Sequence, residues 1–304
     1  LEVFRENRGA VHALNSAIQR SSGEFICYLS SDDYFLPGKL HHQVAFLRDR
    51  PGISAVFGLS AFIDERGTSL QTHEQYNGDI FETPFKKNLK TSDDWLRHFF
   101  FSANCLCHPT VMIRRAAYDT VGLYDPRFAN LPDLDMWIRL CMGANIAVLP
   151  KQLVAMRIRD DSRNMSAPKR GNLLRTYFEM FELLKHYKRM PLASLRRVFA
   201  VEIANDRLMA IDEPELLLAE IALTSSGPMH GLFGLDTMFN SISASDRSSH
   251  KRLIELSGGR DIFDMNADAL RRNERPKKFN PAKIHKSLQR RIGRIINAMR
   301  TSFN

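Results

Sequence analysis

Gly23-Glu24-Phe25-Ile26-Cys27-Tyr28-Leu29-Ser30-Ser31-Asp32-Asp33 decides how the first half of this chain is read. Residues 25–29 are apolar or aromatic, which predicts a buried strand. The run stops at two hydroxyl residues and two adjacent carboxylates. In an open α/β sheet, ligands sit outside the carboxyl ends of the strands, so this pair stands where a ligand is expected. Two neighbouring carboxylates repel unless a cation or several donors lie between them. A divalent metal, Mn²⁺ or Mg²⁺, held by one or two carboxylates plus substrate phosphates meets that need. The competing reading is structural: Ser31-Asp32-Asp33, ahead of Pro37, caps the next helix.

Working outward, residues 1–4 read as the end of a strand. Glu6-Asn7-Arg8-Gly9 then turns into a helix with Val11, Leu14, Ala17 and Ile18 at helical spacing. Pro37 opens another helix, whose expected apolar face is Leu40, Val44 and Leu47. Strands are predicted over 53–58, from residue 61 into a turn ending at Gly67, over 108–114, and over 145–149 and 153–158. Residues 70–91 look like an irregular surface excursion. Helices are predicted over 93–101, 115–121 and 133–142. Strands alternating with helices at these intervals argue for an α/β sheet. After Asp161 the character changes: 163–172 reads as a linker, and 171–188, 192–210, 213–224, 247–257 and 261–272 are helical in period.

The 304 residues, 44% hydrophobic and 25% charged, have an ordinary globular composition. No run approaches the roughly 20 apolar residues needed to span a bilayer, and no signal-peptide pattern opens the chain. Cys27, Cys105, Cys107 and Cys141 fit neither a disulfide framework nor a zinc spacing. Cys105-Leu106-Cys107 has only His108 adjacent, so buried thiols in a reducing cytoplasm are the expectation. His108 reads as structural.

The net charge of +9 lies in the tail. Residues 1–160 carry 18 Lys and Arg against 18 Asp and Glu, whereas residues 270–304 carry 11 against Glu274 alone. Over 281–303, Ile284, Leu288, Ile292, Ile295, Ile296, Met299 and Phe303 share one helical face, with the basic residues largely off it. Such a helix either lies on an anionic membrane surface or packs its apolar face on the helical region. No nucleic-acid motif or basic–aromatic stacking surface accompanies the basic residues, so nucleic acid is not an expected partner.

Two blocks of residues carry a family resemblance. Asn7-x-Gly9, Asn15, Ala17, Gly23-Glu24-Phe25-Ile26, Ser31-Asp32-Asp33, Pro37 and Leu40 resemble the first half of family 2 glycosyltransferases. Gly122-x-Tyr124-Asp125 and Asp133-x-Asp135-Met136-Trp137-x-Arg139-Leu140 resemble their second half. The resemblance covers roughly residues 1–165 and implies a GT-A-like (Rossmann-like) nucleotide-sugar-binding α/β domain, here lacking its opening strands. A mostly helical region, 166–304, follows. It also implies transfer of a sugar from a nucleotide-diphosphate donor, such as a UDP-sugar, to a saccharide or lipid-linked acceptor, with inversion. Asp32 and Asp33 match the family's D-x-D-type motif, Asp33 as metal ligand and Asp32 supporting it or touching the donor. Asp133 matches the catalytic base, and Trp137 and Arg139 match residues that orient its helix. Polysaccharide or glycolipid synthesis, with the enzyme cytoplasmic or peripheral on the inner membrane face, is the implied setting.

The match has departures. Ser30 stands where many members have a further Asp. Pro132 replaces the Glu that usually precedes the base, which leaves Asp133 and Asp135 as competing candidates. Arg159 stands where relatives often have His; its fork of donors suits a diphosphate but not a metal. Arg8 and Gly9, in the loop before the first helix, are further donor-binding candidates. A degenerate, non-catalytic nucleotide-sugar-binding or membrane-associated module is the alternative function.

Overall fold

The computed structural model describes residues 6–70, 79–102, 104–158, 170–204, 206–225 and 227–243. Outside them lie the expected strand at 1–4, Arg159, most of the linker, the helices at 247–257 and 261–272, and the basic amphipathic stretch. The chain forms two compact units, one built from residues within 1–99 and 103–172, the other from residues within 100–102 and 173–284.

The first unit is an α/β layer. A mixed sheet of β1 (Phe25–Cys27), β2 (Tyr34–Phe35), β3 (Ile53–Ile63), β4 (Met112–Arg114) and β5 (Asn145–Arg157) has the order β1-β4-β3-β5-β2. The central pair, β3 and β5, is parallel, and the other pairings are antiparallel. Helices α1 (Ala10–Arg20), α2 (Lys39–Asp49), α3 (Asp79–Lys86), α4 (Ser92–Phe101), α5 (Arg115–Val121) and α6 (Pro132–Gly143) connect and flank the strands. Helix α6 supplies the core: Leu134, Met136, Trp137, Ile138 and Leu140 are all buried. Trp137 meets Phe57 of β3 edge-on, with ring centroids 4.7 Å apart.

Several expectations change. The opening strand is only half-buried and spans three residues, because β1 lies at the end of the described sheet order. Leu29, 45% exposed, has left it. The strands expected at 53–58 and from 61 are one continuous β3, and those at 145–149 and 153–158 are one β5. Register shifts in the β3–β5 ladder absorb the polar interruptions that looked like breaks. Residues 108–110 are a 3-10 turn rather than strand, and the supposed excursion contains α3.

Helix α2 departs furthest from its hydrophobic pattern. Leu40 is 51% exposed, while Lys39, Gln43 and Leu47 form the buried face. The polar side chains are matched: Lys39 Nζ donates to Gln43 Oε1 at 2.7 Å, and Gln43 Nε2 donates to the carbonyls of Val56 and Thr110 at 2.9 and 2.7 Å. Burial lowers the Lys39 pKa, and the Cys27 thiol beside it pulls the other way. The pair fastens α2 to β3 and to the 3-10 turn, a use of buried polar groups invisible to hydrophobic periodicity.

The second unit is helical: α7 (Arg170–Leu184), α8 (Leu192–Val198), α9 (Ala200–Ile203), α10 (Asp206–Met209), α11 (Pro214–Thr224) and α12 (Pro228–Ser243). Every residue from 216 to 223 of α11 is buried, as expected for a helix apolar on all sides. Among the described residues, no helix is long and apolar enough to cross a membrane.

Candidate active site

Asp33 begins its work one residue before β2. Its Oδ1 accepts the backbone N–H of Arg157 on β5 at 2.9 Å. The Arg157 guanidinium spans the same corner, donating to the carbonyls of Asp32 (3.0 Å), Asp64 (2.8 Å) and Glu65 (2.8 Å). The acidic pair is therefore anchored by β5, not by the following helix. Gly38 is the N-cap of α2 and no side chain caps it, which removes the helix-cap reading of Ser31-Asp32-Asp33. Burial raises the Asp33 pKa; the Arg157 N–H opposes that, and Asp32 adds repulsion. The Ser30 hydroxyl and the Arg157 charge also favour its ionised form.

Asp133 stands in the first turn of α6, behind Pro132 at the helix start. Proline there loses nothing, because the first helical N–H has no intrahelical acceptor. Asp133 Oδ1 accepts the Leu134 N–H at 2.8 Å, and Oδ2 accepts the Asn104 amide at 2.8 Å. Burial nevertheless dominates and pushes its carboxyl up to about 6. The chain thus holds a carboxyl group that changes charge close to neutral pH.

Asp135, the competing base, is placed quite differently. Two residues on a helix turn a side chain by about 200°, and Asp135 points into protein at 1% exposure. The Arg139 fork binds its Oδ2 at 3.0 and 2.6 Å and also reaches the carbonyls of Val121 and Leu123. This ion pair locks α6 to the turn after α5. Burial and pairing suit Asp135 to orienting the helix rather than meeting an acceptor.

The two carboxylates converge on one neighbour. The charges of both Asp33 and Asp133 act on the Cys107 thiol, which burial pushes up to about 12. Ser60 Oγ donates to Cys107 Sγ at 2.8 Å. Cys105 is likewise raised to about 12 by burial, so neither thiol is a ready thiolate ligand. His108 packs as expected: its ring stacks on Tyr28 at 4.8 Å, and Nε2 meets the Tyr124 hydroxyl at 3.0 Å. Burial pushes it down to about 4, so it stays neutral.

Arg8 and Gly9 are exposed on the approach to α1. Gly9 has φ +86°, a conformation that favours glycine, and its N–H bonds Asn7 Oδ1 at 2.9 Å. Among the described residues, no hydrogen bond or ion pair joins either residue to Asp33. Among the described residues, no three His, Cys, Asp or Glu side chains form a metal-holding group. The donor set at Asp32–Asp33 fits a hard cation that takes its remaining oxygens from a ligand and water. Asn104 and Arg157 lie outside the two motif blocks, and no local pattern assigns either of them a role at the site.

Residues 2–121 match the family model described as Glycosyl transferase family 2. Over that stretch the chain is similar to family 2 glycosyltransferases. An uncharacterised glycosyltransferase of Methanocaldococcus jannaschii is 25% identical over 183 residues, 60% of this chain and 57% of the relative. The amylovoran biosynthesis glycosyltransferase AmsE of Erwinia amylovora is 22% identical over 182 residues, 59% of this chain and 61% of AmsE. The chain spans about half the length of the curated relatives it matches. Among solved structures, S. aureus TarS aligns at 15% identity and a TM-score of 0.44, over 89% of this chain and 72% of that one.

Proposed function

We propose that this chain transfers a sugar from a nucleoside-diphosphate donor to an acceptor hydroxyl, with Asp133 as the general base. The observation that carries the reading is the Asp133 carboxyl: it stands at a helix start, acts on the same Cys107 thiol as Asp33, and burial pushes it up to about 6. A base works best when its pKa lies close to the working pH. In the transfer, the acceptor oxygen bonds to the anomeric carbon as its proton passes to Asp133. The bond from that carbon to the diphosphate oxygen breaks, and the nucleoside diphosphate leaves. Attack from the side opposite the leaving group gives inversion.

Asp33, supported by Asp32, would hold a divalent cation, Mn²⁺ or Mg²⁺, which when bound stabilises negative charge on the departing diphosphate. Arg157 fixes the corner that carries both carboxylates. Asp135 and Arg139 keep α6, and with it Asp133, in place. The name of AmsE supports polysaccharide synthesis as the setting. A saccharide or lipid-linked acceptor fits that setting, and the basic tail pattern fits an anionic membrane surface on the cytoplasmic side.

The test is Asp133→Asn against Asp135→Asn. Calorimetry with UDP and Mn²⁺ measures donor-side binding, and release of UDP from a panel of UDP-sugars with saccharide acceptors measures transfer. Asp133→Asn retains binding and loses transfer. Wild-type turnover in that variant rejects Asp133 as base; loss of transfer without loss of α6 stability in Asp135→Asn moves the role to Asp135.

A further inference from the structure

We propose that Asn104 is the positioning residue for Asp133: its side-chain amide clamps one carboxylate oxygen and fixes the orientation in which the base meets the acceptor. This rests on the reading of Asp133 as base. The hydrogen bonds leave the amide only one orientation. The backbone N–H of Leu106 donates to Asn104 Oδ1 at 2.9 Å, and an N–H can only donate. The carbonyl end of the amide is therefore fixed on Leu106, and its NH₂ faces Asp133 Oδ2 at 2.8 Å. Leu134 N–H donates to Oδ1, and the backbone N–H of Asp133 itself also favours the carboxylate, so Asn104 supplies the side-chain donor. Each carboxylate oxygen keeps further lone-pair capacity for an incoming proton.

An NH₂ group donates and never accepts through that nitrogen. It therefore favours the ionised carboxylate, the form a base needs before reaction, and works against the burial that favours the acid. The other titratable groups acting near Asp133 are the Cys107 thiol and the Tyr124 phenol. Both are raised by burial and neutral between pH 5 and 8, so neither supplies the counter-charge. His108, close by through Tyr124, is neutral over the same range. Among these neighbours Asn104 is the side chain that distinguishes ionised from protonated Asp133.

The test reads Asp133 directly. Carboxyl-carbon NMR follows its titration in the full chain, with the signal assigned by its loss in Asp133→Asn. Asn104→Leu removes the donor at similar volume, and the midpoint is expected to move up by about one pH unit. Asn104→Asp keeps the acceptor for Leu106 N–H but replaces the NH₂ by oxygen, so two carboxyls then share a proton and the upward move is larger. UDP release from UDP-sugars falls at pH 7 in both variants while UDP and Mn²⁺ binding is unchanged. A folded Asn104→Asp protein with an unmoved Asp133 midpoint overturns the inference. Turnover in Asp133→Asn overturns the base assignment instead, and the two failures are separately visible.

Discussion

Asn15 of α1 and Tyr124, 109 residues later, exchange two hydrogen bonds: Asn15 Nδ2 donates to the Tyr124 carbonyl at 2.7 Å, and the Tyr124 N–H donates to Asn15 Oδ1 at 3.0 Å. The amide thus acts as a detached piece of backbone that ties the first motif block to the second. Tyr124 in turn holds His108 through its hydroxyl, and His108 packs edge-on against Trp137 of α6. Asn15→Ala leaves a buried backbone N–H and carbonyl without these partners. Half-buried bonds of this kind contribute about 1 kcal/mol each. A loss of roughly 2 kcal/mol in urea unfolding is expected, and Asn15→Asp, which keeps only the acceptor, falls between the two.

Arg157 makes a similar argument at the acidic corner. Its guanidinium reaches three carbonyls, those of Asp32, Asp64 and Glu65, while its backbone N–H holds Asp33. Arg157→Ala frees the Asp32–Asp33 turn and is expected to weaken Mn²⁺-dependent UDP binding by about tenfold, the effect of one lost charge-assisted contact. Arg157→Lys recovers little, because one ammonium cannot reproduce the planar fork. Calorimetry with UDP, with and without Mn²⁺, distinguishes the outcomes. Equal Mn²⁺ dependence in Arg157→Ala and the native chain would remove Arg157 from the site.

The parts legible in the sequence were those governed by local pattern. Helices α5 and α6 follow from their periodicity, whereas the acidic pair expected at the carboxyl end of the opening strand stands beyond it, just before β2, because β1 ends at Cys27. What could not be read was set by distant partners. No pattern in 39–47 says that Lys39 and Gln43 are buried while Leu40 is not; the carbonyls of Val56 and Thr110 decide that. Nor does spacing separate Asp133 from Asp135, since both sit in the first turn of one helix. Arg139 and Asn104 separate them by taking one carboxylate each. Arg157 holds the acidic corner through contacts with Asp32, Asp33, Asp64 and Glu65 that no local spacing encodes.

Gly58 offers a test of the sheet itself. It sits in β3 where the ladder with β5 shifts register, and its N–H bonds Thr110 Oγ1 at 3.2 Å. A Cβ there would lie 2.4 Å from Leu153 Cδ1 and 2.9 Å from the Lys151 carbonyl. Overpacking of this kind costs about 1–3 kcal/mol. Gly58→Ala is expected at the upper end, because a backbone carbonyl cannot swing aside. Leu153→Ala combined with it recovers only the side-chain clash, so the double variant stays less stable than Leu153→Ala alone. Urea midpoints at fixed m-value give both comparisons.

The raised carboxyl of Asp133 sets stability and activity against each other. Its pKa goes from the ordinary 3.8 up to about 6 in the fold. Between those values Asp133 binds more proton in the native chain than in the unfolded one, so its own contribution to stability falls as pH rises from about 4 to about 6 and is level beyond. The whole loss is at most about 3 kcal/mol, from roughly two pKa steps at 1.36 kcal/mol each. Turnover moves the other way, because the base must be ionised: kcat/KM rises through about pH 6 and then levels. His108, neutral above about 4, contributes nothing to that rise. Asp133→Asn therefore loses the transfer reaction and also removes this downward contribution between pH 4 and 6, leaving the opposite, upward contribution of buried His108. Urea midpoints measured across that range, for the native chain and Asp133→Asn, make the comparison without any substrate. Parallel curves for the two proteins would show that Asp133 does not carry the raised pKa, whatever the turnover assay finds.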